Sequence, residues 1–374
     1  MAELDQLNVS TRRYIRNNPA LVDAWSQNDP LIAYLKLNVK ETYTGGTLIQ
    51  EGFTFTNMIG GAYLKGKEFD ITEKQVEQAK QFQLKFFEAN VTLSLEDVEA
   101  LNTGPLAVFD LLDSRMVTAY ESLGAFMAIA QYIEGQNAGY TAQFNGLAEM
   151  LNDGTTLSWN NTAYTTYGGI TRGGQVGSAL SSTPTNVAGG AIQYTTLENS
   201  YGNAEFGNIQ PNLGVTTVKG YSYIKEKFQT QQRFNDTQDP AIGFNGLKFN
   251  SATLIKSRYC PGTDIAQTSP QTTTNATAVA YLSQTSNGAI TAYPTFTVAN
   301  TSGTSGAGGS ETLFWLNARK PYLNFYVSTS PKFGFGFTGF KPAQGNTKVA
   351  GQVLAGCAIT GDPRYHQMVY GFLA

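Results

Sequence analysis

The sequence is short of charge, histidine and cysteine, and each shortage removes a class of function. Aspartate, glutamate, lysine and arginine make up 14% of the 374 residues, well below the roughly one quarter usual in soluble domains. The 25 basic and 28 acidic side chains leave a net charge of −3, which gives no global attraction to nucleic acid or anionic membrane. The single histidine, His366, and the two cysteines, Cys260 and Cys357, are too few for a His/Cys zinc site or a disulfide framework. The cysteines read as two reduced, part-buried thiols. The N-terminus lacks an apolar signal core, and the apolar run Leu123–Ile133 is too short to span a membrane and contains Gln131. The Asn-x-Ser/Thr sequons, Asn8 to Asn300, are what chance produces in a chain rich in asparagine and threonine.

Catalytic signatures are missing too. No G-x-S-x-G elbow exists to partner His366, which reads as structural within DPRYHQMVY. There is no P-loop. Gly334-Phe335-Gly336-Phe337-Thr338-Gly339 matches G-x-G-x-x-G, but Lys341-Pro342 follows where a dinucleotide site needs a helix N-terminus. An extended aromatic strand is expected there. A pair of carboxylates suited to glycosidase chemistry cannot be read from spacing, and the sparse charge favours no pair. Arg12-Arg13 with Arg16 forms a small basic cluster, read as a solvated arm. No catalytic, cofactor-binding or metal-binding residue is assigned, no cofactor is expected, and the chain is not expected to be an enzyme.

What the chain has is 39 glycines, 20 tyrosines and 22 phenylalanines. Sparse charge with many glycines and aromatics suggests a strand-rich chain that buries surface against copies of itself. Residues 1–42 read as an arm with short helices, because Asn18-Pro19 and Asp29-Pro30 each set a capping residue before a proline. Residues 43–93 read as a long two-stranded excursion. One strand alternates through Leu48, Phe53 and Phe55, a Lys65-Gly66-Lys67 tip follows, and a second strand runs from Phe82 to Leu95. Isolated hairpins are marginal in water, so another subunit is expected beneath it.

Ser94-Leu-Glu-Asp97 resembles a capping box. The clearest helix spans 103–134, with Thr103 as cap, Gly135 as stop and an apolar stripe through Phe109, Leu112, Met116, Ala119, Leu123, Phe126, Ala130 and Ile133. At roughly 1.5 Å per residue such a rod is about 45 Å long. Polar loops with short strands follow to about residue 191, then a strand at Gly214–Val218 and a helix at Lys219–Phe228. Residues 261–310, rich in Thr, Ser, Ala, Asn and Gly, read as an inserted surface module of small strands. The core pattern leaves at Arg258-Tyr-Cys-Pro-Gly262 and resumes at Thr312-Leu-Phe-Trp-Leu-Asn317.

Several pieces fall in an order that resembles one family. Gln231-Gln232-Arg233-Phe234 is followed by Gly243-Phe244 and Leu247-Lys248-Phe249. Tyr201-Gly202, Phe206-Gly207 and Pro211 precede them. Phe314-Leu316-Asn317, Phe337-Thr338-Gly339-Phe340, Gly351-Gln352-Val353-Leu354 and Asp362-Pro363-Arg364-Tyr365 come after. This order is similar to that of tailed bacteriophage major capsid proteins with the Hong Kong 97-type fold, and the likeness spans most of the chain.

The resemblance implies an α+β fold with an N-terminal arm (1–42), an extended E-loop (43–93) and a P-domain with a spine helix (94–136). An A-domain (137–330, carrying the 261–310 insertion) follows, then P-domain strands (331–360) and an A-domain C-terminal strand (361–374). It implies self-assembly as pentamers and hexamers into an icosahedral shell around double-stranded DNA. Scaffold, portal and decoration proteins are the implied partners, without a membrane. Assembly in the host bacterial cytoplasm and a final place in the virion are implied as well. Some relatives cross-link through an E-loop lysine, for which Lys65 or Lys67 is the candidate here. An encapsulin-like compartment is the alternative, and a β-rich surface adhesin a more distant one.

Overall fold

The computed structural model describes residues 29–94, 105–132, 135, 143–156, 162–187, 190–229, 245–262, 311–343 and 348–372, with short strands at 236–238, 278–280, 283–284, 290–292 and 295–297. The first part of the arm, Arg12, Arg13 and Arg16, the segment 95–104 with its capping residues, and Gln231–Phe234 lie outside these residues.

In chain order the labelled elements begin with α1 (Pro30–Asn38), β1 (Lys40–Tyr43), β2 (Ile49–Thr54), β3 (Glu77–Phe82) and β4 (Lys85–Ser94). Next come α2 (Pro105–Ala130), β5 (Thr185–Asn186), α3 (Tyr194–Asn203), β6 (Leu213–Thr216) and α4 (Val218–Gln229). Strands β7 (Asp236–Gln238), β8 (Asn245–Phe249), β9 (Ala252–Lys256), β10 (Glu311–Leu316) and β11 (Leu323–Ser328) follow. The chain closes with β12 (Gly334–Phe337), β13 (Lys341–Ala343), β14 (Lys348–Gly361) and β15 (Gln367–Phe372).

A seven-stranded sheet has the order β5-β15-β10-β6-β9-β8-β7. Its inner strand β10, the apolar run TLFWL with Glu311 in front, is buried throughout, as a strand covered on both faces must be. Alternation divides its side chains. Leu313 and Trp315 join Leu197, Tyr201, Ile224 and Phe249 under α3 and α4, while Phe314 and Leu316 face the main core. The sequence carries no helix signal at 194–203. That stretch is poor in strong helix formers, and burial of Leu197, Ser200 and Tyr201 selects the helix. The Trp315 indole N–H donates to Ser200 Oγ at 2.9 Å.

The second sheet has six strands, with β14 as its long spine. β4 pairs with it over ten residues, from Lys85 opposite Cys357 to Ser94 opposite Lys348. β11, β12 and β13 also pair with β14, and β1 joins in parallel to β11. This corrects the expected hairpin. The alternating run 85–94 is not the return strand of the excursion, because β3 takes that place opposite β2. Ten residues with a buried alternate face are better satisfied on a sheet than on an isolated ribbon. β11, grouped with the A-domain by a boundary at residue 330, pairs in this second sheet as well.

The helix expected at 103–134 is described from Pro105 to Ala130. Met116, Ala119, Leu123 and Ala130 of its stripe are buried, and so are Tyr120, Met127, Ala128 and Ile129. Its C-terminal turns therefore enter the core on nearly every side. The helix α1 docks in the chain's own core through Leu31, Ile32 and Leu35. Asp29 is its N-cap, accepting from the Ile32 N–H at 3.3 Å, from Gln131 Nε2 at 2.6 Å and from Ser257 Oγ. Burial raises the Asp29 pKa against these donors.

The 261–310 segment leaves and re-enters at one place. Thr312 Oγ1 donates to the Pro261 carbonyl at 2.5 Å, and Gly262 has no room for a Cβ beside Glu311 and Thr217. Its described strands pair only with each other, Ala278–Ala280 with Thr295–Thr297 and Ser283–Gln284 with Ile290–Ala292.

Candidate functional site

The most exposed apolar surface among the described residues lies between β2 and β3. Residues 55–76 carry no strand or helix. They present Met58, Ile59, Tyr63, Leu64, Phe69 and Ile71 to solvent, with Leu64 78% and Ile71 93% exposed. Single exposed apolar side chains are ordinary, but six on one excursion mark a surface that is covered in use. The excursion keeps local order. The Lys67 N–H donates to the Leu64 carbonyl at 3.0 Å around Gly66, whose φ is +86°. The Tyr63 and Phe69 rings meet edge to face at 4.9 Å. Asp70 accepts from Thr72 N–H and Oγ1, which holds its carboxyl below the usual range. Lys65 and Lys67, the cross-linking candidates, sit exposed at this turn, and neither donates a side-chain bond to an asparagine or glutamate among the described residues.

The root of the excursion is rigid where its tip is bare. Lys80 on β3 is 2% exposed, and its ammonium lies 3.4 Å from Glu51 on β2. It also donates to the Gly361 carbonyl at 2.9 Å and to Asp362. Glu51 accepts in turn from Asn324 Nδ2 at 2.8 Å, Tyr326 OH at 3.0 Å and Thr360 Oγ1. These bonds tie both strands of the ribbon to β11 and to the end of β14. Buried charges persist only when paired and hydrogen-bonded in this way. Gly168, at φ +57°, brings its backbone so close to Lys80 that a Cβ would lie 2.8 Å from the lysine Cβ. Its carbonyl accepts from the Gln81 N–H at 2.9 Å. Sequence spacing could not signal this cluster, because its members stand up to 311 positions apart, from Glu51 to Asp362.

The chemistry-bearing residues singled out from the sequence are placed in structural roles. His366 is buried. Its Nδ1 accepts from the Asn317 N–H at 3.0 Å and its Nε2 donates to the Tyr322 carbonyl at 3.1 Å. Ser182 lies beside it, yet the hydroxyl donates to the His366 backbone carbonyl at 2.6 Å and not to the ring, so no Ser–His pair forms. Burial pushes the imidazole pKa down to about 4. Cys260 and Cys357 are unpaired and fully buried, and burial raises both thiols. The G-x-G-x-x-G stretch is the strand β12, with Thr338 N–H donating to the Gln352 carbonyl at 2.9 Å and β13 following. No helix opens there. Among the described residues no cluster of three metal-ligating side chains occurs, and no helix is long and apolar enough to cross a membrane.

No family model matches this sequence, and no curated protein matches it. Solved structures do. The chain is similar to the subunit of the Cyanophage A-1(L) capsid, with a TM-score of 0.58 and 11% identity over 90% of this chain and 91% of that one. It is similar to the capsid of the native GTA particle, with a TM-score of 0.50 and 10% identity over 91% and 90%. The SrpI encapsulin of Synechococcus elongatus PCC 7942 also gives a TM-score of 0.50, at 9% identity over 90% and 86%. At such identities the likeness is one of fold, and it covers nearly the whole length of both partners. The chain has the phage capsid protein fold that its sequence resembles, and it shares that fold with encapsulin shells.

Proposed function

We propose that this protein is the major capsid subunit of a tailed bacteriophage, with the Hong Kong 97-type architecture. In this reading it assembles as pentamers and hexamers into an icosahedral shell around double-stranded DNA. One observation carries the proposal. The excursion 55–76 shows six large apolar side chains to solvent while its root is locked by the Lys80–Glu51–Asp362 cluster. Such a device is costly in a monomer and useful in a shell, where a neighbouring copy covers the tip and the fixed root aims it. The low net charge suits an inner wall that must not trap DNA by phosphate contacts. The role is structural and not catalytic. Scaffold, portal and decoration proteins are the expected partners, the virion is the final location, and the 261–310 module lies on the outer surface.

Electron microscopy of the expressed chain after size-exclusion chromatography tests this. Closed particles, or rings of five and six, support it. A compact monomer that stays monomeric when the neighbouring genes are co-expressed refutes it. An encapsulin-like compartment is the second reading, favoured by the likeness to the SrpI shell. Particles that enclose an enzyme and exclude DNA would select it.

A further inference from the structure

A cleft of about 840 Å³ opens beside the root of the excursion. Thr54, Ser181, Thr183, Asn203, Phe206 and Arg364 are among its lining residues, and no carboxylate is. Arg364 is the charged group of the lining. Its guanidinium lies 5.6 Å from the Phe206 ring centroid and 4.8 Å from that of Tyr365. The two rings meet edge to face at 5.8 Å. Phe206 is itself 56% exposed, yet it is fixed by a tight turn in which it exchanges backbone bonds with Ile209 at 2.9 and 3.0 Å. An aromatic held at the surface against a cation is an arrangement that a ligand completes.

The cation lacks an acidic partner. Arg364 forms no ion pair among the described residues, and its Nε is shut from solvent without a hydrogen-bond acceptor. Nearby acids are engaged elsewhere, Asp362 by Lys80 and Glu205 by Gln210 Nε2 at 2.6 Å. A second cation stands on the rim, where Lys74 Nζ donates to Thr56 Oγ1 at 3.0 Å and to the Asn57 carbonyl at 3.3 Å.

We propose that this cleft binds a carboxylate presented by an acidic peptide segment, with Arg364 as the recognising group. One Arg364 N–H is shared with the Tyr365 hydroxyl, and the remaining in-plane donors of the planar fork match one carboxylate in bidentate fashion. Phosphate sites gather several backbone N–H donors at a helix N-terminus or nest. Here, apart from the buried His366, the other polar side chains of the lining carry hydroxyls and amides, and the Ser182 hydroxyl is already committed to the His366 carbonyl. The open, hydroxyl-lined trough beside Phe206 suits a peptide backbone on either side of the acidic side chain.

The test is fluorescence anisotropy of a neutral-dye-labelled peptide, acetyl-Gly-Glu-Gly-Glu-Gly-amide, titrated with the purified full-length chain. It reads binding whether the chain is assembled or free, so failure of the shell reading would not mask the result. The Glu peptide should bind about tenfold or more tighter than its Gln counterpart. Arg364→Gln should erase that difference at an unchanged thermal midpoint, and Arg364→Lys should retain part of it. Phe206→Ala, a change at an exposed ring, should weaken binding without touching the charge, and it serves if Arg364→Gln does not fold. Equal binding of the Glu and Gln peptides, no binding of either, or full binding by both Arg364→Gln and Phe206→Ala overturns the proposal. Binding of inorganic phosphate in place of the peptide overturns it in favour of a phosphate site.

Discussion

The single histidine offers a stability experiment whose sign and size follow from its surroundings. His366 is 1% exposed and hydrogen-bonded at both ring nitrogens as the neutral imidazole. A second proton would turn Nδ1 into a donor facing the Asn317 N–H, inside a site that solvates no charge. Burial is the largest cause of the depressed pKa. The Lys80 ammonium adds to it, while Asp362 and the bond to the Tyr322 carbonyl oppose it. The folded value is about 4 against 6.5 for the free side chain. Between these limits the unfolded chain binds more protons than the folded one, so stability falls as pH drops from 6.5 toward 4. The full effect is about 3 kcal/mol, of which about 2 kcal/mol is lost by pH 5. Urea unfolding of the wild type and of His366→Asn, at pH 7 and pH 5, isolates this group. Asparagine supplies an acceptor for the Asn317 N–H but does not titrate. The stability gap between the two proteins should therefore shrink by about 2 kcal/mol on going to pH 5. A gap of equal size at both pH values would show that the imidazole is not held neutral, and the account of its burial would fall. The C2 proton of this lone histidine gives a direct check by NMR, with a midpoint near 4.

Other perturbations separate folding from assembly. Replacing Leu64, Phe69 and Ile71 by serine should leave the thermal midpoint unchanged and abolish particles in electron micrographs, because these side chains touch solvent in the monomer. Lys80→Met should cost about 3–5 kcal/mol in urea unfolding, since it strands Glu51 and Asp362 without their buried cation. Gly168→Ala should cost about 1–3 kcal/mol by the same assay, as both its positive φ and the Lys80 side chain resist a Cβ. Deleting 263–309 behind a short glycine linker should preserve the circular dichroism spectrum and the particles, because Gly262 and Glu311 are already neighbours. Loss of the fold on that deletion would show that the module makes a core contact.

Local features were legible where a local rule decides them. Asp29-Pro30 announced α1, because a cap and a proline act within one turn. The spacing of Met116, Leu123 and Ala130 announced α2. The proline after the G-x-G-x-x-G stretch was enough to deny it a helix. The apolar run Thr312–Asn317 announced the return of the core pattern, which β10 carries. The order of short motifs along the chain pointed to the phage capsid fold, although each was weak alone.

Tertiary structure decided what depends on partners far apart in the chain. Alternation in 85–94 shows that one face is buried, but it does not name the strand that buries it, and β14 outcompeted β2 by offering ten paired residues. Residues 194–203 carry no strong helical preference and became a helix because Leu197 and Tyr201 found a sheet to cover. The Lys80–Glu51–Asp362 cluster and the Arg364 cleft have no linear signature, since each joins segments that are distant in sequence. Periodicity reports which face of an element is apolar; only the folded chain determines what meets that face, and whether a charge brought there finds its opposite.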